Sequence, residues 1–237
     1  QLDVPDTVEQ PAPEDTPVKT RRHPGYEPVG IRSGPWMLHP AILAGVVYDS
    51  NAFASNTVRQ SDVAAVVEPS LRLRSLWGRH GLDLRLGLRS LSYKNNPGLD
   101  QTNYGIRGSG WFDIAHDLVV LTSFQASHLN EGVGSLASPS NAVQPTPYDL
   151  VNGDVTVRKQ LYRWAFAMGG GVESYNFGST RAQDGSIIQQ DARDGQIYAI
   201  HGRTEYAFSP NLGWFASGEY NQRELRGNAT QSLDSRG

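Results

Sequence analysis

The chain has 237 residues, a formal charge of -3, 25 Gly, 14 Pro and no Cys. Its mean hydropathy of -0.46 and its short apolar runs, such as Ala41–Val47, exclude a helical membrane protein, since a spanning helix needs about 20 consecutive apolar residues. The Gly and Pro content disfavours a helix bundle. The near-neutral charge offers no basis for bulk nucleic-acid binding, and the lack of Cys removes disulfides, thiolate metal sites and cysteine catalysis.

Residues 1–35 carry seven of the 14 prolines, an acidic stretch (Asp3, Asp6, Glu9, Glu14, Asp15) and then a basic one (Lys19, Arg21, Arg22). Without apolar periodicity they cannot bury enough surface to offset their ordering entropy. They are expected to form a disordered, Pro-rich periplasmic arm, left by cleavage of a signal peptide or docking an envelope partner.

From Trp36 onward the pattern is period-two alternation, the mark of strands with one apolar face. Nine strands are predicted at about 36–48, 62–76, 80–93, 103–113, 117–130, 148–160, 164–177, 195–208 and 212–224. Most exceed the roughly 5–6 residues of ordinary strands and reach the about 9–11 that a tilted membrane strand needs. Four connections are tight, around Trp77–Arg79, Ile114–His116, Leu161–Arg163 and Ser209–Asn211. Four are long and polar, at Asp49–Ser61, Lys94–Thr102, Glu131–Pro147 and Gly178–Asp194. Long and short alternate strictly, as in outer-membrane barrels with short periplasmic turns and long outer loops.

Trp36, Trp77, Trp111, Trp164 and Trp214 fall at short-turn ends. Tyr48, Tyr93, Tyr104, Tyr148, Tyr175, Phe177 and Tyr220 fall near long-loop ends. The placement suggests two interfacial girdles on the lipid face. Low hydropathy then follows from averaging a lipid face with a wet lumen face.

If Leu82, Leu84, Leu86 and Leu88 face lipid, alternation sends Asp83, Arg85 and Arg89 inward. Glu68, Arg72, Arg74, Arg107, Asn152, Asp154, Arg158, Glu173, His201, Arg203, Glu205, Glu219 and Arg223 follow them. Such a set can form cross-strand ladders that stiffen a wall, or line a pore and bias it toward anions or sugars. The expected fold is therefore all-β, a transmembrane antiparallel up-and-down β-barrel over residues 36–237.

Gly30–Pro40 (GIRSGPWMLHP) leads into a strand ending Val47-Tyr48-Asp49-Ser50-Asn51-Ala52-Phe53. Then come Ser61-Asp62, Val67–Ser75 (VEPSLRLRS) and Pro145-Thr146-Pro147-Tyr148-Asp149. In this order, over about residues 30–224, the sequence resembles the Putative beta-barrel porin 2 family of proteobacterial outer-membrane proteins. The resemblance implies a porin-like barrel without catalytic residues. It also implies a location in the outer membrane of a Gram-negative bacterium and, by analogy with some members, a link to export of surface polysaccharide.

Nine strands leave the last pointing outward and two edges unpaired, which lipid does not tolerate. The sequence is therefore expected to be part of a longer polypeptide with about twice this strand count. A shared multi-chain barrel and a miscount by one are the alternatives.

Catalytic chemistry is not evident. The six His show neither HxH nor HExxH spacing, and Ser123, Ser127 and His128 form only a loose grouping. Gly169–Gly171 sits mid-strand and is not a phosphate loop; it suits curvature or the close packing of a plug or arm. Asp184, Asp191 and Asp194 share one loop, in which acidic residues are common. No cofactor, metal or catalytic residue is expected, and membrane lipid and lipopolysaccharide are the expected partners, with a homo-oligomer or an envelope protein possible through residues 1–35. The favoured function is a porin-like pore or export conduit. The rivals are a non-conducting structural barrel, an outer-membrane hydrolase and a soluble sandwich.

Overall fold

The computed structural model describes residues 29–55, 59–139 and 141–226. Nine long strands carry the fold: β2 (Trp36–Asp49), β3 (Asp62–Ser75), β4 (His80–Tyr93), β5 (Gln101–Ala115), β6 (Leu118–Glu131), β7 (Thr146–Leu161), β8 (Trp164–Phe177), β11 (Gly195–Ser209) and β12 (Leu212–Leu225). These are the nine strands expected from alternation, within two residues at every boundary. A short β1 (Ile31–Ser33) precedes them, and a two-residue hairpin of β9 (Thr180–Arg181) and β10 (Ile187–Ile188) lies in the last long loop.

All long strands pair with their sequence neighbours, antiparallel, in the order β1-β2-β3-β4-β5-β6-β7-β8-β11-β12. This is an up-and-down sheet. It stays open among the described residues, consistent with part of a barrel.

The N-terminal arm was expected to run to Pro35. Residues 1–28 lie outside the described residues, but Ile31–Ser33 is already sheet, paired with Trp36–Leu38. The reason is local. Gly34 takes a left-handed φ of 57° at the first position of a Gly-Pro turn, which folds the chain straight back on itself.

Because directly opposed residues share a face in an antiparallel pair, the registers sort every side chain. One face carries Ile42, Val46, Val67, Leu71, Leu84, Leu86, Ile106, Phe124, Val151, Val155, Val172 and Ile200. Among the nine long strands its only Asp, Glu, Lys or Arg residues are Asp149, Lys159 and Glu224, all near strand ends. Large apolar side chains on this face stand uncovered: Ile42 is 73% exposed, Val46 75% and Met168 72%. A water-soluble sheet would bury such a face; here only lipid matches it.

Asp149 and Lys159, both on β7, bound the apolar band. Ten positions at about 3.3 Å each, on a strand tilted by about 40°, give a band about 25 Å tall, the height of the apolar belt on membrane barrels. At the lower edge Lys159 Nζ lies 2.6 Å from Asp117 in the β5–β6 turn, and this hydrogen bond holds the Asp117 carboxyl below its usual pKa.

The buried residues do not form a core between layers. Many lie in or beneath the long loops: Ala52, Leu99, Ala142, Ala182, Thr146, Thr180, Gln190 and Asp194. The loops bind each other. The Val143 amide donates to the Arg181 carbonyl, Thr180 Oγ1 donates to the Gln144 carbonyl at 2.8 Å, and Arg193 grips Glu131 through both terminal nitrogens at 2.8 and 3.2 Å. Asp62 anchors the second long loop to the sheet by accepting from Asn95 and Asn96.

Candidate functional site

The face opposite the apolar one is the candidate site. All fifteen charged or His positions expected to point inward share it: Glu68, Arg72, Arg74, Asp83, Arg85, Arg89, Arg107, Asp154, Arg158, Glu173, His201, Arg203, Glu205, Glu219 and Arg223. Eight are Arg and six are carboxylates. Among the nine long strands no Arg lies on the apolar face.

The side chains form local groups rather than one continuous ladder. Asp83 receives Arg72 Nε at 2.7 Å and Arg85 Nε at 3.3 Å. Arg89 meets Glu68 directly opposite at 2.9 Å. Arg107 finds an amide instead of a carboxylate, donating to Gln125 Oε1 at 3.0 Å, and Gln125 donates onward to Ser127. Arg203 pairs with Glu205 at 2.6 Å and lies over the Phe215 ring at 4.0 Å. Thr156 donates to Asp154 at 3.1 Å, and its hydroxyl lies 2.9 Å from His201 Nε2 across β8.

That last group needs the Gly169–Gly171 run. A Cβ at Gly169 would stand 2.5 Å from Thr156 Oγ1 and 2.6 Å from His201 Nε2, so only glycine lets β7 and β11 side chains meet over β8. The run serves close packing within the sheet itself.

Several placements differ from expectation. Trp111, expected in the lower lipid girdle, lies on the charged face opposite Gly81, whose missing side chain leaves room for the indole ring. Tyr93, Tyr148, Tyr175 and Phe177 also lie on the charged face, under the long loops rather than toward lipid. Tyr148 stacks on Phe177 at 5.0 Å, and Arg193 covers Phe177 at 4.0 Å. They are the footing of the loops.

The rings that do share the apolar face include Trp36, Phe112, Trp164, Trp214, Phe166, Tyr206 and Phe208 at the short-turn end, and Tyr48, Tyr104, Tyr198 and Tyr220 toward the other. Trp77, in a short turn, packs edge-on against Trp36 at 5.1 Å. Trp164 contacts Tyr206 at 4.7 Å and Trp214 at 5.9 Å. Leu82, Leu84, Leu86 and Leu88 share that face.

The Ser123, Ser127 and His128 grouping does not converge. The two serines are on the charged face, while His128 is on the apolar face, stacked on Tyr104 at 5.1 Å and 2.8 Å from Asp149. Asp194 accepts the Phe177 amide at 2.7 Å and Asp184 accepts from Ser186, so each has a local structural bond.

A strand-rich, up-and-down sheet with an apolar outer belt, short turns at one end and a charged opposite face defines a transmembrane β-barrel protein of porin-like build. The family model described as Putative beta-barrel porin 2 matches residues 23–237, and the chain belongs to that family. No curated protein and no solved structure matches it.

Proposed function

We propose that the protein is a porin-like conduit in the outer membrane of a Gram-negative bacterium, passing polar solutes or surface polysaccharide along its charged face. The observation that carries this is the sorting of side chains: apolar residues on one face, and on the opposite face the eight Arg and six carboxylates of the candidate set, together with Asp49, Asp62, Asp113 and Glu131. Membrane lipid and lipopolysaccharide cover the apolar face. The two open sheet edges take further strands or other copies, since unpaired backbone is not stable in lipid. The charged groups bind and orient solute, and no residue acts as a catalyst. Reconstituted in planar bilayers, the purified protein is expected to give discrete conductance steps; their absence at several protein concentrations counts against a pore.

The loop packing favours a second reading, a barrel closed at its outer mouth that serves as an anchor. The two readings meet at Arg193, which ties the last long loop to Glu131 and Phe177. Arg193→Ala is expected to quicken protease cleavage in residues 178–194 severalfold while the sheet stays intact. If the wild type conducts poorly, the same change raises conductance when the loops are what closes it. Unchanged cleavage would show that Arg193 does not hold the loop.

A further inference from the structure

Registers across β3, β4 and β5 place Arg72 directly opposite Arg85, and Arg85 directly opposite Arg107. Arg74 is one row away, opposite Asp83. Like charges directly opposed across strands repel. Four guanidiniums here share one carboxylate, and that carboxylate is taken by Arg72 and Arg85. Arg107 is held by an amide, and among the described residues Arg74 has no ion-pair partner. The row thus keeps a surplus of positive charge on accessible side chains, Arg72 being 44% and Arg85 61% exposed.

A hollow of about 310 Å³ opens beside the row. Arg85, Arg107 and Asp83 line it. Ser109, Ser123, Gln125 and Asn152 supply hydroxyl and amide groups, and no Lys, Arg or His faces the hollow apart from the two arginines. The volume is at the small end of ligand sites, which run from about 300 Å³ upward, and leaves room for one sugar unit. Guanidinium forks match a carboxylate or phosphate bidentately, while Ser, Gln and Asn match hydroxyls.

We propose that this hollow is a binding step for a saccharide unit bearing an oxyanion, a uronic acid or a sugar phosphate. Arg85 and Arg107 hold the anionic group, and Ser109, Ser123, Gln125 and Asn152 hold the ring hydroxyls. The proposal rests on reading the charged face as a solute-lined surface. The oxyanion replaces the missing carboxylates of the arginine row, so repulsion within the row is relieved when solute is bound. Arg72 remains on Asp83 Oδ2, while Arg85 holds Asp83 Oδ1 only through Nε at 3.3 Å, which leaves its terminal nitrogens for the oxyanion.

The test is isothermal titration of the full chain in detergent micelles with glucuronate, glucose 6-phosphate, inorganic phosphate and glucose. Glucuronate and glucose 6-phosphate are expected to bind, with glucose at least about tenfold weaker, because bonds to a charged group are worth about 1.5–3 kcal/mol each. The double substitution Arg85→Gln/Arg107→Gln should weaken acidic-sugar binding tenfold or more, whereas Arg163→Gln, in the short β7–β8 turn and outside the charged face, leaves it unchanged. Inorganic phosphate binding as tightly as glucose 6-phosphate would reduce the site to an anion site without sugar recognition and overturn the proposal. Equal binding of glucose and glucuronate, no binding by the wild type, or an equal loss in Arg163→Gln would also overturn it. Binding in micelles does not require an open channel, so a silent bilayer experiment and a failed titration remain distinct results. Unchanged heat-modified gel mobility of each variant confirms that it folds.

Discussion

Val155→Arg is expected to cost about 2–4 kcal/mol of folding stability in lipid, the penalty for a cation at mid-depth on the lipid face of a barrel. Val155 is 51% exposed and lies on the apolar face of β7 between Asp149 and Lys159, the two charges that bound the belt. It contacts no core whose repacking would confuse the result; its environment is the bilayer. Asn152→Arg, three residues earlier on the same strand, projects from the charged face beside Gln125 and Glu173, where a cation gains a carboxylate neighbour. It should cost less than about 1 kcal/mol. Urea titration of refolding into liposomes measures both. Equal costs would mean that the two faces do not differ in solvent, and the membrane reading of the sheet would fall with that result.

The same face logic shows how far the sequence could be read. Strand positions and the fifteen inward candidates were legible because charge and alternation agree on them. In β4, Leu82, Leu84, Leu86 and Leu88 alternate with Asp83, Arg85 and Arg89, so one face cannot be mistaken for the other. The aromatic residues were assigned by their place at a strand end, and end position does not specify a face. Parity does. Trp111 has the parity of Arg107 and Ser109, Tyr93 that of Arg89, and Tyr175 and Phe177 that of Glu173. Applied to them, the rule that sorted the charges would have put all four on the charged face.

Two features had no such signal. The loops' packing depends on contacts between segments far apart in sequence, such as Arg193 with Glu131, which no local pattern encodes. The arginine row arises from register between three strands. Arg72, Arg85 and Arg107 look unrelated along the chain, and only the pairing of β3 with β4 and of β4 with β5 brings them into line. Turn lengths fix such registers, so a shift of one residue in the Trp77–Arg79 turn would have sent one of these arginines into lipid.

Trp111 offers the second large effect. Gly81→Val places side-chain atoms where the six-membered ring of Trp111 now lies, so the ring must leave its seat over position 81. Overpacking of this kind costs about 1–3 kcal/mol. Trp111→Ala alone removes a half-buried ring from a water-lined face and is expected to cost less. The double variant should recover most of the loss caused by Gly81→Val, because the clash has one cause. A coupling of about 1 kcal/mol or more between the two positions, measured by a double-mutant cycle in urea, is therefore expected. If Trp111 faced lipid, Gly81→Val would cost little and the two changes would add independently. The cycle thus reads the face of β5 directly, since a tryptophan across the sheet cannot couple to a side chain at Gly81.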